Sequence, residues 1–357
     1  MHSSFRKKLT AWYNPDARNL PWKKTGDAYK IWLSEIILQQ TRVEQGTPYY
    51  IAFVKKYPTI KKLADAPLDE VLKLWEGLGY YSRARNLHAA AKQVMEQHQG
   101  KFPETHEELL QLKGIGHYTA AAIASFAYNL PHAVLDGNVY RVLARVFGIE
   151  IPIDSTEGKK QFEKLAARLL DKKDPARYNQ AIMDFGSLVC KPKIPLCNQC
   201  PFSSDCKALE LNKISLLPLK AKRLIKTERY FHYFVLYDSK YIYLKQRTEK
   251  DIWKGLYELP MVEKVDSRQS IVDRNYLIKN LQIPSLGLWT MAREAKKFTY
   301  RQVLSHQHIN GNFYEIKTNK LPKMGKSYLK ISKSLILNYA FPKIVRTYLQ
   351  DRLNFLS

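Results

Sequence analysis

A chain of 357 residues is long for one compact domain and comfortable for two, and 45% apolar residues are enough to build packed cores, which excludes wholesale disorder. Its apolar runs are far shorter than a bilayer span and the opening MHSSFRKKLTAWY holds no apolar signal core, so no transmembrane helix, membrane partner or secretory signal is expected, and a bacterial cytoplasm is the expected location. The formal net charge is +25, of which residues 1–207 carry +9 and residues 208–357 carry +16, so both halves are drawn to polyanions, nucleic acid being the commonest; a merely basic, ribosome-like surface has the same composition.

Helical periodicity runs through Lys30–Gln40, Leu68–Trp75, Ser82–Gln97, Tyr118–Tyr128, Val139–Phe147 and Gln161–Leu170. Breakers separate them at Pro58, Pro67, Gly77, Gly79, Gly100, Pro103, Gly114, Gly116 and the step Asp136-Gly137. The spacing predicts an all-α first domain over 1–207. A polar, Lys-rich connector with Pro218 inside it follows over 208–228. Over 229–357 the texture changes: Tyr230–Tyr237 and Tyr241–Lys245 read as a hairpin joined at Asp238-Ser239-Lys240, with further strand-like pieces near Phe298–Ser305 and Phe313–Lys317. The second, smaller domain is expected to be α+β.

Several stretches carry chemistry. In Trp32-Leu33-Ser34-Glu35-Ile36-Ile37-Leu38-Gln39-Gln40-Thr41, helical spacing puts Ala28, Ile31, Trp32, Glu35 and Leu38 on one stripe, so Glu35 is the single acid on an apolar face. Burial there would raise its pKa and keep a proton available near neutral pH, as a general acid requires; a Glu satisfied by a buried Arg fits the same spacing. In Leu112-Lys113-Gly114-Ile115-Gly116-His117-Tyr118-Thr119-Ala120 two glycines precede an Ala-rich helix. Gly114 and Gly116 can turn the backbone tightly and bring it close to a phosphate, with the helix N-terminus offering free N–H groups. An ordinary helix–turn–helix has the same appearance. Val134-Leu135-Asp136-Gly137-Asn138-Val139 places Asp136 immediately before a helix, the position of an N-cap. A carboxylate held there is expected to stay ionised and could stabilise a developing sugar cation.

The cysteines stand at Cys190-x6-Cys197-x2-Cys200-x5-Cys206 and nowhere else. A disulfide framework would spread them through the chain, so ligation in a reducing compartment is expected. Four thiolates in one short loop suit a [4Fe–4S] cluster; zinc stays open on spacing alone. Lys191 and Lys193 in that loop can present charge to phosphates.

These stretches, from about Arg18 to Cys206, resemble the MutY-type adenine glycosylases of the helix–hairpin–helix superfamily. Arg18-Asn19-Leu20-Pro21-Trp22-Lys23 is similar to that family's R-x-LPWR, with Lys23 in place of Arg. Gly77-Leu78-Gly79-Tyr80-Tyr81-Ser82-Arg83-Ala84-Arg85 matches its GLGYY-x-RAR segment, the Glu35 stretch its SE-x-x-LQQT, and the cysteine loop its cluster loop. The resemblance implies Glu35 as acid, Asp136 as stabiliser of the sugar cation, Asn138 and Tyr118 as supporting catalytic groups, and DNA contacts from Trp22, Lys23, Leu38, Gln40, Tyr80, Gly114 and Gly116. It also implies a structural [4Fe–4S] cluster on Cys190, Cys197, Cys200 and Cys206.

Trp253-Lys254-Gly255-Leu256-Tyr257-Glu258-Leu259-Pro260 resembles the GLWEFP segment of MutT-like (Nudix) folds, without the Glu-rich magnesium signature, so no nucleotide hydrolysis is expected. In the family such a domain recognises 8-oxoguanine through a short loop; its counterpart is Leu304-Ser305-His306, with Ser305 and His306 as polar DNA contacts. The implied activity is monofunctional: a monomer removing adenine opposite 8-oxoguanine or guanine in double-stranded DNA, with no lyase step because Tyr118 stands where the lyase branch has Lys. The alternatives are an endonuclease III-like pyrimidine glycosylase with lyase activity and a non-catalytic lesion-binding protein.

Overall fold

The computed structural model describes residues 2–221, 226–264 and 295–352; parts of the expected connector (222–225) and of the expected second domain (265–294 and 353–357) lie outside the described residues. The chain forms two units, Met1–Asp65 with Asn86–Arg223, and Ala66–Arg85 with Leu224–Ser357.

The described residues of the first unit are helical. Its elements are α1 (His2–Trp12), α2 (Ala28–Leu38), α3 (Val43–Lys56), α4 (Ile60–Asp65), the part of α6 (Ser82–Gln97) from Asn86, α7 (His106–Gln111), α8 (His117–Tyr128), α9 (Gly137–Phe147), α10 (Thr156–Leu169), α11 (Pro175–Leu188) and α12 (Lys207–Glu210); α5 (Leu68–Leu74) belongs to the second unit. Short polar side chains start many of them: Asp27 caps α2, Thr105 caps α7, Asp136 caps α9, Ser155 caps α10 and Asp174 caps α11 ahead of Pro175. One core joins Phe5 and Leu9 of α1, Val142 and Leu143 of α9, Phe162 of α10 and Phe185 of α11. Phe202 of the cysteine loop enters the same core and stacks on Phe5 with ring centroids 4.6 Å apart.

Two helical features differ from the periodicity. α2 is not one-sided: Tyr29, Leu33, Ile36 and Ile37 are buried along with the Glu35 stripe, because the helix runs through the unit rather than over its surface. α3 lies outside the stretches that the periodicity marked and carries Gly46 and Pro48, residue types that weaken a helix. Gly46 is there for contact, since a Cβ on it would lie 2.8 Å from the Leu38 side chain.

In the second unit, β1 (Thr227–Tyr237), β2 (Tyr241–Gln246), β3 (Tyr257–Glu258), β4 (Met261–Lys264), β5 (Lys296–Val303), β6 (Gln307–Lys317) and β7 (Tyr328–Ser332) form one mixed sheet among the described residues, with the path β3-β2-β1-β6-β5. The expected hairpin is present: Tyr237 pairs with Ile242, and Asp238 accepts the backbone N–H groups of Lys240 and Tyr241 at 2.8 and 2.6 Å. β1 and β6 pair in parallel over eleven residues, and β5 returns antiparallel to β6 across the turn Ser305-His306. A final helix, α13 (Lys343–Asp351), packs Tyr348 on Phe313 with centroids 4.2 Å apart.

The segment 66–85 is bound into this second unit by buried polar groups. Glu76, 5% exposed, accepts the Phe341 N–H at 2.8 Å and pairs with Arg346 at 2.6 Å and Lys73 at 2.8 Å. The Tyr257 hydroxyl donates to Asp69 at 2.7 Å. Sequence periodicity places this segment with the helices before it; its long-range polar partners place it here.

Candidate active site

A cavity of the first unit, about 1130 Å³, is lined by Glu35, Tyr118, Asp136 and Asn138 from three helices, together with Trp22, Lys23, Leu38 and Gln40. Eight of the residues singled out in sequence thus share one cavity. α2 delivers Glu35 to its wall and ends at Leu38; Gln40 then takes a left-handed backbone (φ 58) that turns it outward, and Gln39 donates to Thr119 Oγ1 of α8 at 3.2 Å.

Glu35 is 8% exposed, and the Tyr118 hydroxyl donates to its Oε2 at 2.6 Å. Burial pushes its pKa up to about 7, the Tyr118 hydrogen bond opposes the rise, and the negative charge of Asp136 adds to it. Tyr118 itself is held far above the usual phenol range, first by burial and then by the two carboxylates, so it is a donor.

Asp136 is both cap and cavity residue. Its Oδ1 accepts the Val139 N–H at 2.8 Å and its Oδ2 the Asn138 side-chain amide at 2.6 Å. The expectation from sequence is that this carboxyl stays ionised; burial moves its pKa upward from the ordinary value, against the Val139 and Asn138 hydrogen bonds and the charge of Arg141. Both oxygens are nevertheless bonded by donors, which favours the anion within a buried setting.

Arg141, absent from the sequence reading, orients Asn138. Its Nη2 donates to Asn138 Oδ1 at 2.8 Å and to the Gly186 carbonyl at 2.6 Å, and its Nε donates to the Cys190 carbonyl at 2.7 Å. Gly186 lets α11 approach: a Cβ there would lie 2.6 Å from Asn138 Cβ. The only advance signal was an Arg on the buried face of α9. The Lys23 ammonium is paired with the buried Asp184, and its side chain is 10% exposed.

The hairpin stands apart from the cavity lining. Gly114 needs its left-handed conformation (φ 79), and a Cβ there would lie 2.7 Å from Asn86. Gly116 caps α8 at φ −103, with Lys113, Gly114 and Gly116 exposed and Ile115 buried beneath them. This is an exposed turn presenting a helix N-terminus, suited to a phosphate.

The HhH-GPD superfamily of base excision DNA repair proteins matches residues 33–172, and the NUDIX domain family matches residues 232–351. An adenine DNA glycosylase of Buchnera aphidicola subsp. Baizongia pistaciae is 39% identical over 78% of this chain and 80% of its own length. The chain belongs to the adenine DNA glycosylase family. The human adenine DNA glycosylase is 45% identical over 58% of this chain and 39% of its own length. Among solved structures, a thermostable thymine-DNA glycosylase is 29% identical with a TM-score of 0.55, covering 59% of this chain and 97% of that one. A non-covalent endonuclease III–DNA complex, 22% identical with a TM-score of 0.52, shares the fold over 59% of this chain and 98% of its own. The protein is therefore a DNA N-glycosylase of base excision repair, with a helical domain followed by a Nudix-like one. No described helix is long and apolar enough to cross a membrane.

All four cysteines of this glycosylase are free thiols and line one small cavity with Val146, Phe185 and Leu196. Arg145, 2% exposed, pins their loop: it donates to the Lys191 and Pro192 carbonyls at 2.8 and 3.0 Å, to the Leu217 carbonyl at 3.0 Å, and to Cys190 Sγ at 3.5 Å. Among the described residues no three His, Cys, Asp or Glu groups stand close enough to share a single metal ion.

In the glycosylase's second unit, Tyr80 sits in a left-handed conformation (φ 48), 43% exposed, and its hydroxyl is within hydrogen-bond reach of Ser305 Oγ. His306 is exposed beside it at the β5–β6 turn. Tyr80 and Ser305, distant in sequence and named separately, are brought together.

Proposed function

We propose that this chain hydrolyses the N-glycosidic bond of adenine mispaired with 8-oxoguanine or guanine in double-stranded DNA and leaves an intact abasic strand. The observation that carries this reading is one cavity holding a buried Glu35, its pKa pushed up to about 7, and a hydrogen-bonded Asp136. The adenine is flipped into that cavity. Glu35 passes its proton to the base and makes it a better leaving group, Asp136 stabilises the cationic sugar with Asn138 fixing its orientation, and Tyr118 holds Glu35 in place. Glu35, then ionised, takes the proton of the attacking water. Two carboxyl groups with opposed protonation are what glycoside hydrolysis requires. Tyr118 is a phenol and forms no imine, which supports a glycosylase without lyase chemistry.

We assign the first 207 residues to this catalytic part and 229–357 to recognition of 8-oxoguanine through Ser305 and His306; Tyr80, whose segment 66–85 joins the second unit, contacts DNA beside Ser305. Trp22, Lys23, Leu38 and Gln40 contact DNA at the cavity mouth, and Gly114 and Gly116 contact its backbone. The chain acts as a monomer in a bacterial cytoplasm, on nucleoid DNA.

The test of the chemistry is the pH dependence of single-turnover adenine release. Glu35 must carry its proton to act, and its pKa in the folded protein is about 7. The rate should fall as pH rises through about 7, approaching tenfold per pH unit beyond it, and should fall again in acid once Asp136 takes up a proton. A rate that climbs through this window would remove Glu35 from the acid's role.

The four cysteines fit a [4Fe–4S] cluster: four thiols surround one cavity, and a cluster spreads its thiolates around a core wider than a single ion. Burial pushes the Cys190, Cys200 and Cys206 thiols up, Cys200 to about 11, so a positive centre is needed to hold them as thiolates. Cys190, Cys197, Cys200 and Cys206 would ligate it, and it would supply a rigid loop presenting Lys191 and Lys193. The purified protein should be brown, with broad absorbance around 400 nm and about four irons per chain. Colourless protein with stoichiometric zinc would contradict this.

A further inference from the structure

Asp184 lies on α11, one turn beyond Gln180, with its side chain 1% exposed. Arg18 Nη1 and Gln180 Nε2 donate to its Oδ1 at 3.1 and 3.2 Å, and the Lys23 ammonium donates to Oδ2. Arg18 Nη1 also donates to Ser187 Oγ at 3.0 Å, and that hydroxyl donates to the Asp184 carbonyl at 3.0 Å. Arg18, Lys23, Gln180 and Ser187 line the catalytic cavity, whereas Asp184 stands behind them. A buried carboxylate requires compensation of this kind, but here one anion meets two cations, and the cluster of Arg18, Lys23 and Asp184 keeps one net positive charge.

Arg18 uses a single nitrogen for these bonds. Its Nε and Nη2, the paired donors on one edge of the guanidinium, make no hydrogen bond to any described residue. Such an edge matches two oxygens of a phosphate. The groups acting on Glu35 are Tyr118 and Asp136, and those acting on Asp136 are Val139, Asn138 and Arg141; neither Arg18 nor Lys23 is among them. A flipped nucleotide brings base and sugar to the acids while still joined to its strand by phosphodiesters, which must rest near the cavity mouth.

We propose that Asp184 is a positioning residue that clamps Arg18 and Lys23 so that the free edge of Arg18 grips a phosphate flanking the flipped nucleotide. This rests on the reading of the cavity as the nucleotide pocket. Asp184 touches no substrate atom; it removes the freedom of two long side chains in advance of binding.

The experiment is single-turnover adenine release by the full chain as a function of enzyme concentration. It uses duplexes with natural phosphates or with neutral methylphosphonates on either side of the adenine. For the wild type, methylphosphonate should raise the half-saturating concentration about tenfold, the worth of one charge-assisted contact. Asp184→Asn should raise it by a similar factor on the natural duplex, and methylphosphonate should then add less than about twofold, the non-additivity of groups in one network. Asp184→Glu should recover part of the loss, and the pH midpoint of release should stay where it is. Arg18→Gln, which keeps the Asp184–Lys23 pair, should show the same insensitivity to methylphosphonate and supplies the comparison if thermal unfolding shows Asp184→Asn to be misfolded. A full methylphosphonate penalty in Arg18→Gln or in folded Asp184→Asn, a wild type without any penalty, or a displaced pH midpoint overturns the proposal. Absence of adenine release by the wild type from both duplexes overturns instead the reading of the cavity itself.

Discussion

Glu35→Gln should slow adenine release by about two to four orders of magnitude, the span that general acid catalysis supplies. The substitution keeps the shape of the side chain and an oxygen to accept the Tyr118 hydroxyl, now bonded to Glu35 at 2.6 Å, but it has no proton to transfer at neutral pH. Duplex binding should persist, since Glu35 is buried in the cavity wall rather than on its rim. The same variant should be more stable than the wild type in alkaline solution. The Glu35 carboxyl titrates near 7 in the folded protein and near its ordinary value of 4.5 when unfolded. Between those values the unfolded chain has already lost the proton that the folded chain retains, so stability falls as pH rises through that window and stays low above it. The burden is on the order of 3 kcal/mol, and Gln removes it. Thermal unfolding at pH 8 measures this directly: a Glu35→Gln variant that melts below the wild type and releases adenine normally would return Glu35 to a packing role.

Asp136→Asn should cost roughly two to three orders of magnitude in the rate of release, the loss seen when a preorganised electrostatic group is removed from a transition state. Asn is as good an N-cap as Asp, so the bond from the Val139 N–H, 2.8 Å in the wild type, can be kept and α9 should remain folded. What is lost is the negative charge that the proposed mechanism sets against the sugar. The pair of measurements separates the two roles of this residue: unchanged melting with slow release assigns the charge to catalysis, whereas early melting with an undiminished rate would leave Asp136 only its cap.

The parts of this site that were legible in sequence are those encoded by contiguous residues. Glu35 stood out as an acid among apolar neighbours on a helix, Asp136 as a cap followed by Gly137, the hairpin as two glycines before an Ala-rich helix, and the cysteine loop by its spacing. What escaped is what long-range pairing creates. Arg141 and Arg145 read as ordinary helix residues, and only the fold turns them onto Asn138 and the cysteine loop. Arg18 and Asp184 lie 166 residues apart, and no periodicity links them. The upward shift of Asp136 was missed for a related reason: the helix terminus is a local feature visible in sequence, whereas the burial that outweighs it comes from packing. Similarly, the segment 66–85 continues the helical texture of its neighbours, and its place with the second unit depends on Glu76 and Asp69 meeting partners more than 170 residues away.

The central claim is that this glycosylase recognises adenine by its partner base and stops after base removal. The most direct measurement incubates the purified chain with duplexes carrying adenine opposite 8-oxoguanine, guanine or thymine. Released free base is quantified, and strand breaks are scored with and without alkali. Adenine should leave fastest opposite 8-oxoguanine, more slowly opposite guanine and not at all opposite thymine, with breaks appearing only after alkali. Equal release from all three duplexes, or efficient strand scission without alkali, would contradict the account.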